Sequence, residues 1–472
     1  MTSLRRYLTV PDRRTLFAAA VALLAWTACG GEDPTNPSDA GPHAGAGGGG
    51  ASDGGISGCT TNPGAKTENC SHAGAAGVGA QEAAGAAGAP ETAGGAGAQD
   101  GGASGTNGEP KDDFVPAAHA AFPLVTAQGG PVLKNIEIVP VYFGDDPLFD
   151  DLEKFTSWIV TSDYWKNAGA EYGVEAGTRL AAVQRPSAPP SPISDTQIAG
   201  WIQTWVADQT LPTPKPNTVF ALFFQAGTTI TNRSGISCRS FAGLHKTVKI
   251  ESAIFSGDVP FIILPRCTYS ADDDPLMIAT NVASHEYIET ATNPLNSTNP
   301  AWAMNNDAGP LEACGMLSGP AIADLCLSQS YDVVEGFTVQ DLWSNAAAQA
   351  GRNPCQPSDP RHPYFTVSAE TTIYHAQPGT TLTIQARAWS NMPAPDWLLG
   401  VNWGLVPYSD FDGQATLSAS TVNNGDEVTA TVTIPPSPAV VDGRSVYRFT
   451  IDSIDPINPN FTHPWPFLVI VP

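Results

Sequence analysis

The spacing of apolar residues divides the chain into four stretches. The first holds a short apolar run, Thr15 to Thr27, behind Arg5, Arg6, Arg13 and Arg14. Basic then apolar, and too short to cross a bilayer, it reads as an export signal over residues 1–28. In the second, residues 29–112, no periodicity exists. Runs of Gly, Ala, Ser, Asp and Asn bury too little apolar surface to offset chain entropy, which predicts a flexible, disordered tether.

The third stretch, residues 113–356, alternates between two periods. Ile136 to Phe143 is a predicted strand, in which Pro140 points to an edge or a bulge. Leu148, Phe149, Leu152, Phe155, Trp158 and Ile159 recur at helical spacing. Ser194 and Gln197 form a capping box ahead of an apolar face made by Ile198, Trp201, Ile202, Trp205 and Val206. Thr218 to Phe224 and Val259 to Leu264 are predicted buried strands. A helix is then expected from Pro275 to Thr292. Asp274 suits its cap, Pro275 suits its first position, and Asn293-Pro294 ends it. Leu295 to Ser330 reads as loop, and Val339 to Ala350 as a helix closed by Gly351. Strands alternating with helices predict an α/β or α+β globule.

The fourth stretch, residues 357–472, carries short strand-like runs: Thr366 to Ser368, Thr380 to Ala386, Ala415 to Ala419, Glu427 to Ile434, Ser445 to Ile451 and Pro466 to Val471. Turns rich in Gly, Pro, Asn and Asp separate them. This predicts an all-β, immunoglobulin-like sandwich. Trp389, Trp397 and Trp403 fall here; core packing is the stronger expectation for them than a sugar-binding platform.

Composition narrows the function classes. With 22 Lys plus Arg against 46 Asp plus Glu, the net charge of −24 opposes a nucleic-acid partner. None of the eight Cys residues forms a C-x-x-C pair, so disulfides made in an oxidising compartment are expected. Cys29 stands apart. It follows the apolar run directly, in the order Trp26-Thr27-Ala28-Cys29-Gly30, and small residues before a Cys resemble the lipobox of bacterial lipoproteins. Trp26 replaces the usual Leu. Arg13-Arg14 also resembles a twin-arginine signal. The expectation is an exported lipoprotein, anchored in a membrane through lipidated Cys29, in the periplasm or at the cell surface. Among the seven remaining Cys, Cys59 and Cys70 would close a small loop in the tether; the other pairings stay open.

The candidate chemistry lies in Ser284-His285-Glu286-Tyr287-Ile288-Glu289. Residues four apart on a helix share a face, so His285 and Glu289 point the same way and can hold a divalent metal. Glu286 lies about 100° round the helix. There it can act as general base on a metal-activated water, the logic of an H-E-x-x-H helix with Glu in place of the second His. Zinc in a hydrolase takes three protein ligands. Asp324 is the first choice for the third, because it lies in the loop-rich region beside a Cys, and His245 is the runner-up. Bland readings stand beside these: Asp324 capping a turn, His245 as a core histidine, Glu289 paired with a Lys or Arg. Two carboxylates with one imidazole make a hard donor set, so Ca²⁺ or Mn²⁺ remains open beside Zn²⁺.

Several segments in residues 120–356 resemble the EXORDIUM (phosphate-induced protein 1) family of secreted plant proteins and its bacterial relatives. They are Cys238-Arg239-Ser240-Phe241-Ala242-Gly243-Leu244-His245, Cys267, Ser284-His285-Glu286 through Glu289 with Ala291-Thr292-Asn293-Pro294, Trp302, Ile322-Ala323-Asp324-Leu325-Cys326 and Trp343-Ser344-Asn345. The resemblance implies a secreted, metallopeptidase-like domain acting on protein or cell-wall material. The family usually has Glu where this chain has Ala321; if that Glu is a ligand in relatives, either the site here is inactive or Asp324 or Glu312 substitutes for it, and if Asp324 is the ligand nothing is lost. Two other classes fit the same residues: a non-catalytic wall- or surface-binding lipoprotein with a structural metal, and an adhesin-like lipoprotein whose sandwich makes the contacts.

Overall fold

One helix, buried along nearly its whole length, occupies the centre of the region around residues 113–356. In this computed structural model, residues 114–471 are described except 123, 234, 305–320, 327–330, 359–360, 404–413, 438–444 and 458–461. The export signal, the tether, Cys29, Cys59, Cys70, Glu312 and Cys314 lie outside the described residues, as does the side chain of Trp403.

In chain order the elements are β1 (Glu137–Phe143), α1 (Phe149–Ile159), α2 (Asp163–Gly169), β2 (Thr178–Arg179), β3 (Val183–Arg185), α3 (Asp195–Ala207), β4 (Thr218–Phe223), β5 (Leu244–Glu251), β6 (Ser256–Leu264) and α4 (Pro275–Thr292). The sheet runs β2-β1-β4-β6-β5, with β3 also on β1. β1, β4 and β6 are mutually parallel, and β5 joins β6 antiparallel. All six β4 residues are buried, the signature of a parallel strand covered on both faces. Alternate side chains go to opposite faces. Ile138, Val219, Ala221 and Ile262 meet Leu152 and Phe155 of α1 and Ile278, Val282 and Ile288 of α4. Val139, Phe220, Leu222 and Ile263 meet Ile198, Ile202 and Val206 of α3.

The local signals place α4 where the sequence predicts it. The Asp274 carboxylate accepts hydrogen bonds from the N–H groups of Leu276 and Met277, and Pro275 opens the helix. From Ile278 to Thr292 every residue is buried. A helix enclosed on all sides is a core helix, so each polar group on it must find a partner inside the protein.

Two sequence expectations are corrected. β1 is an inner strand, not an edge. Glu137 N–H donates toward β4, to the Asn217 carbonyl, so alternation turns the Pro140 nitrogen to the other side. There the partner is broken: Arg179 faces Ile138, Val183 faces Val141, and no strand pairs between them. A residue without an N–H therefore sits at the gap. The helix expected over Val339 to Ala350 is also mostly absent. Phe337–Gln340 pairs with Tyr331–Val334, Leu342–Trp343 pairs with Cys355–Gln356, and only Asn345–Gln349 is helical. A short apolar run does not separate strand from helix by period alone, and tertiary pairing decided it here. Gly351 does take the left-handed conformation expected after a helix, at φ 63°.

The C-terminal region is all β. One sheet orders Phe365–Ser368, Thr381–Ser390, Glu427–Thr433 and Gln414–Leu417; the other orders Ile373–His375, Thr462–Val471, Ser445–Ile454, Trp397–Trp403 and Thr421–Val422. Residues from both sheets share one hydrophobic cluster, including Ile384, Val428, Phe449 and Phe467. Trp389 and Trp397 are core residues, 1% and 0% exposed. Residues 115–122 lie against this region. Ala117 N–H donates to Asn424 Oδ1 at 2.9 Å, and His119 stacks on Trp389 with ring centroids 3.8 Å apart. Phe122 meets Trp389 and Trp465 here and Trp343 of the preceding region, so a single aromatic joins the two cores.

Buried His463 gives the sandwich a pH dependence. Its Nδ1 donates to the Phe365 carbonyl at 2.8 Å. Burial pushes its pKa down to about 4, outweighing that hydrogen bond and nearby Asp455, both of which raise it. The unfolded ring takes a proton near 6.5 while the folded ring resists until about 4, so stability is lost as pH falls through that window. Urea unfolding at about pH 7 and about pH 4.5 should show wild type losing on the order of 2–3 kcal/mol more than His463→Asn, which keeps a donor without the titration.

Candidate metal centre

The polar residues of α4 face two neighbours. On one side lies β5, which presents His245. On the other lies the turn Asp324–Cys326, followed in sequence by the strand that ends at Gln340. His285 and Glu289, four residues apart, come together with Nε2 3.3 Å from Oε2. Asp324 Oδ1 stands 3.7 Å from the same His285 nitrogen. Round the helix, Glu286 Oε2 lies 3.2 Å from His245 Nδ1, and Glu289 Oε2 lies 3.6 Å from it. One carboxylate oxygen, Glu289 Oε2, therefore stands between both imidazoles. The other, Oε1, accepts the Asp324 backbone N–H at 3.1 Å.

Five of the residues named from sequence are thus brought together: His245, His285, Glu286, Glu289 and Asp324, while Glu312 lies outside the described residues. They form two three-donor sets, His285/Glu289/Asp324 and His245/Glu286/Glu289. None is more than 8% exposed. Glu286 and Glu289 have only histidines as ion-pair partners among the described residues. Buried carboxylates are costly unless matched by positive charge. An imidazole nitrogen and carboxylate oxygens 3.3–3.7 Å apart are close to the spacing of atoms sharing one small divalent ion. The donor chemistry fits Zn²⁺, with Mn²⁺ or Ca²⁺ as harder options.

The charge balance shows in the protonation. Burial alone would lower the His285 pKa, but Glu289, Glu286 and Asp324 raise it to about 10. Burial likewise raises Glu289, yet His285 and His245 bring it below the ordinary carboxylate value. Without a metal, an imidazolium supplies the positive charge the carboxylates require.

Sequence reasoning missed the groups that aim these side chains. Gln340 is engaged at every polar atom. Its N–H donates to Ser284 Oγ at 2.9 Å, its carbonyl accepts the Tyr164 hydroxyl at 2.7 Å, and its Nε2 donates to the Ala323 carbonyl at 2.7 Å. Its Oε1 faces His285 Nδ1 at 3.0 Å. No local signal marks it, since it lies 55 residues from His285 inside a segment that reads as helix. Asn296, 3.0 Å from His245 Nε2, was equally hidden in a loop. The two disulfides pin the segments involved: Cys326–Cys355 holds the turn of Asp324, and Cys238–Cys267 holds the chain leading to Gly243 and His245.

Protein-family models and curated proteins give no match to this chain. Among solved structures, similarity is found to the S-layer protein SbsC domains 4 and 5, at 17% identity and TM-score 0.17, covering 23% of this chain. This chain spans about half, 53%, of that structure's length. The catalytically inactive OgpA from Akkermansia muciniphila in complex with an O-glycopeptide matches at 11% identity and TM-score 0.19, covering 76% of this chain and 95% of its own. The sialic acid binding region of a Streptococcus sanguinis SK1 adhesin matches at 14% identity and TM-score 0.16, covering 49% of this chain and 56% of its own. At such TM-scores these likenesses carry no argument about function.

Gly243 offers a structural test. A Cβ there would stand 2.7 Å from Glu286 Oε1 and 2.6 Å from Val282 Cγ1, so Glu286 packs where only glycine leaves room. Gly243→Ala should cost about 1–3 kcal/mol in urea unfolding, as overpacking does. Gly257→Ala, with nothing nearer than Phe255 at 3.2 Å, should cost much less.

Proposed function

We propose that residues 113–356 form a metal-dependent hydrolase of the peptidase type, carried on an exported, lipid-anchored chain and acting on protein or cell-wall material. The observation that carries this is the buried triad His285, Glu289 and Asp324 with Glu286 beside it on the same helix. His285 Nε2, the Glu289 carboxylate and the Asp324 carboxylate would hold the ion. A divalent ion held there would supply Lewis acidity and would make a water acidic enough to ionise near neutral pH. Glu286 takes the proton from the attacking water and returns it to the leaving amine, the work of a general base and then acid. A purely structural site has no use for a further carboxylate in that position. The resemblance to the EXORDIUM family supports this reading, and Asp324 makes Ala321 no obstacle to it. The C-terminal region, read as an immunoglobulin-like sandwich, would serve as an accessory module.

The depth of the donors favours one second reading. With every ligand at 8% exposure or less, the ion could act as a structural clamp in a wall- or surface-binding lipoprotein. The full-length protein and Glu286→Gln should each bind one ion per chain, measured by elemental analysis. Casein or peptide cleavage should fall at least 100-fold in the variant (roughly the share of a general base). Full occupancy without cleavage in either protein selects the clamp. If no metal binds and His285→Ala leaves stability unchanged, there is no site.

The anchor is tested separately. Cys29→Ser should move the protein from the membrane fraction to the soluble fraction. A wild type already soluble in the medium removes the lipid anchor from the proposal.

A further inference from the structure

The centre contains two histidines facing shared carboxylates, and symmetry alone would suggest two metal ions bridged by Glu289. The hydrogen bonds on the far side of each ring separate their roles. Which nitrogen of an imidazole carries the proton is set by the partner of the other nitrogen. His285 Nδ1 faces Gln340 Oε1 at 3.0 Å, an acceptor, and the Gln340 amide is oriented by donation from Nε2 to the Ala323 carbonyl. Nδ1 therefore bears hydrogen, and Nε2, aimed at Glu289 and Asp324, is the nitrogen that would coordinate an ion.

His245 has the opposite arrangement. Its Nε2 faces Asn296 Nδ2 at 3.0 Å, and an amide NH₂ is only a donor. The lone pair of the neutral ring is thus on Nε2, and the proton is on Nδ1, 3.2 Å from Glu286 Oε2. A protonated ring nitrogen cannot coordinate a metal. Resting on the metal reading above, we infer that His245 is a positioning residue and not a ligand: held by Asn296, it donates Nδ1–H to Glu286 and fixes that carboxylate as the base, so the centre holds one ion. Gly243 closes the other side of the same carboxylate, where a Cβ would come within 2.7 Å of Glu286 Oε1. Glu286 is thereby confined between a hydrogen-bond donor and a bare backbone, which spares it the reorganisation a free carboxylate would need at the moment of proton transfer.

The test uses the full-length protein labelled with ¹⁵N-histidine. Long-range ¹H–¹⁵N spectra report the tautomer of each ring, assigned by comparison with His245→Asn and His285→Asn, first metal-free and then during titration with Zn²⁺. The expected result is an Nδ1–H tautomer for His245 throughout, uptake of one zinc per chain, and a zinc-dependent shift at His285 Nε2. His245→Asn, whose amide replaces the Nδ1–H donor, and His245→Ala should both keep one zinc per chain. Cleavage by the Ala variant should fall on the order of 10–100-fold in kcat with KM unchanged, and the Asn variant should recover part of it. An Nε2–H tautomer for His245, loss of its Nδ1 proton with uptake of two ions, or loss of zinc in the Asn variant overturns the inference while leaving a metal site in place. Absence of any zinc uptake overturns the metal reading itself, and the inference with it.

Discussion

The Glu289 carboxylate is the interaction on which the centre depends. One of its oxygens lies between His285 and His245, and the other receives the backbone N–H of Asp324. It is 1% exposed, so water cannot replace any of these partners. Removing one member of a buried charged set leaves the others uncompensated, a loss of about 3–5 kcal/mol in comparable cases. The cluster is therefore close to all-or-none. Strand β5, helix α4 and the Asp324 turn are each held where they are partly because Glu289 needs all three.

The fold supplies that arrangement by enclosing a helix rather than laying it on a surface. The parallel strands carry helices on both faces, and α4 lies on the α1 side, covered further by the segment ending at Gln340. The antiparallel strand β5 brings His245 from the sheet edge. Both disulfides among the described residues fall in segments that reach the centre, not in the sandwich. Covalent staples thus fall where loops, which lack ladder hydrogen bonds, hold the buried cluster in place.

The same burial that makes the centre precise restricts access to it. A hydrolase needs water and a substrate bond at the ion, whereas a clamp needs neither. The two readings differ in what Glu286 does, and His245 and Gly243 are the residues that bear on it. Among the described residues, Phe122 packs between Trp343 and the aromatic residues of the C-terminal core and so links the sandwich to the region that carries the centre.

Sequence by itself determined the features that depend on near neighbours. The limits of α4 follow from Asp274, Pro275 and Asn293-Pro294, and the helix fixes His285, Glu286 and Glu289 on adjacent faces. The Ser194–Gln197 capping box and the short strands of the C-terminal region were legible for the same reason, since caps and turns act over a few residues. Tertiary structure decided what acts over long separations. It brought Asp324 and His245 to the one Glu289 carboxylate of α4, placed Gln340 and Asn296 behind the two imidazoles, and paired Val339, Gln340, Leu342 and Trp343 in strands where a helix was expected. The physical reason is that a ligand's identity can be read from its side chain, but its tautomer and aim are set by hydrogen bonds from segments distant in the chain.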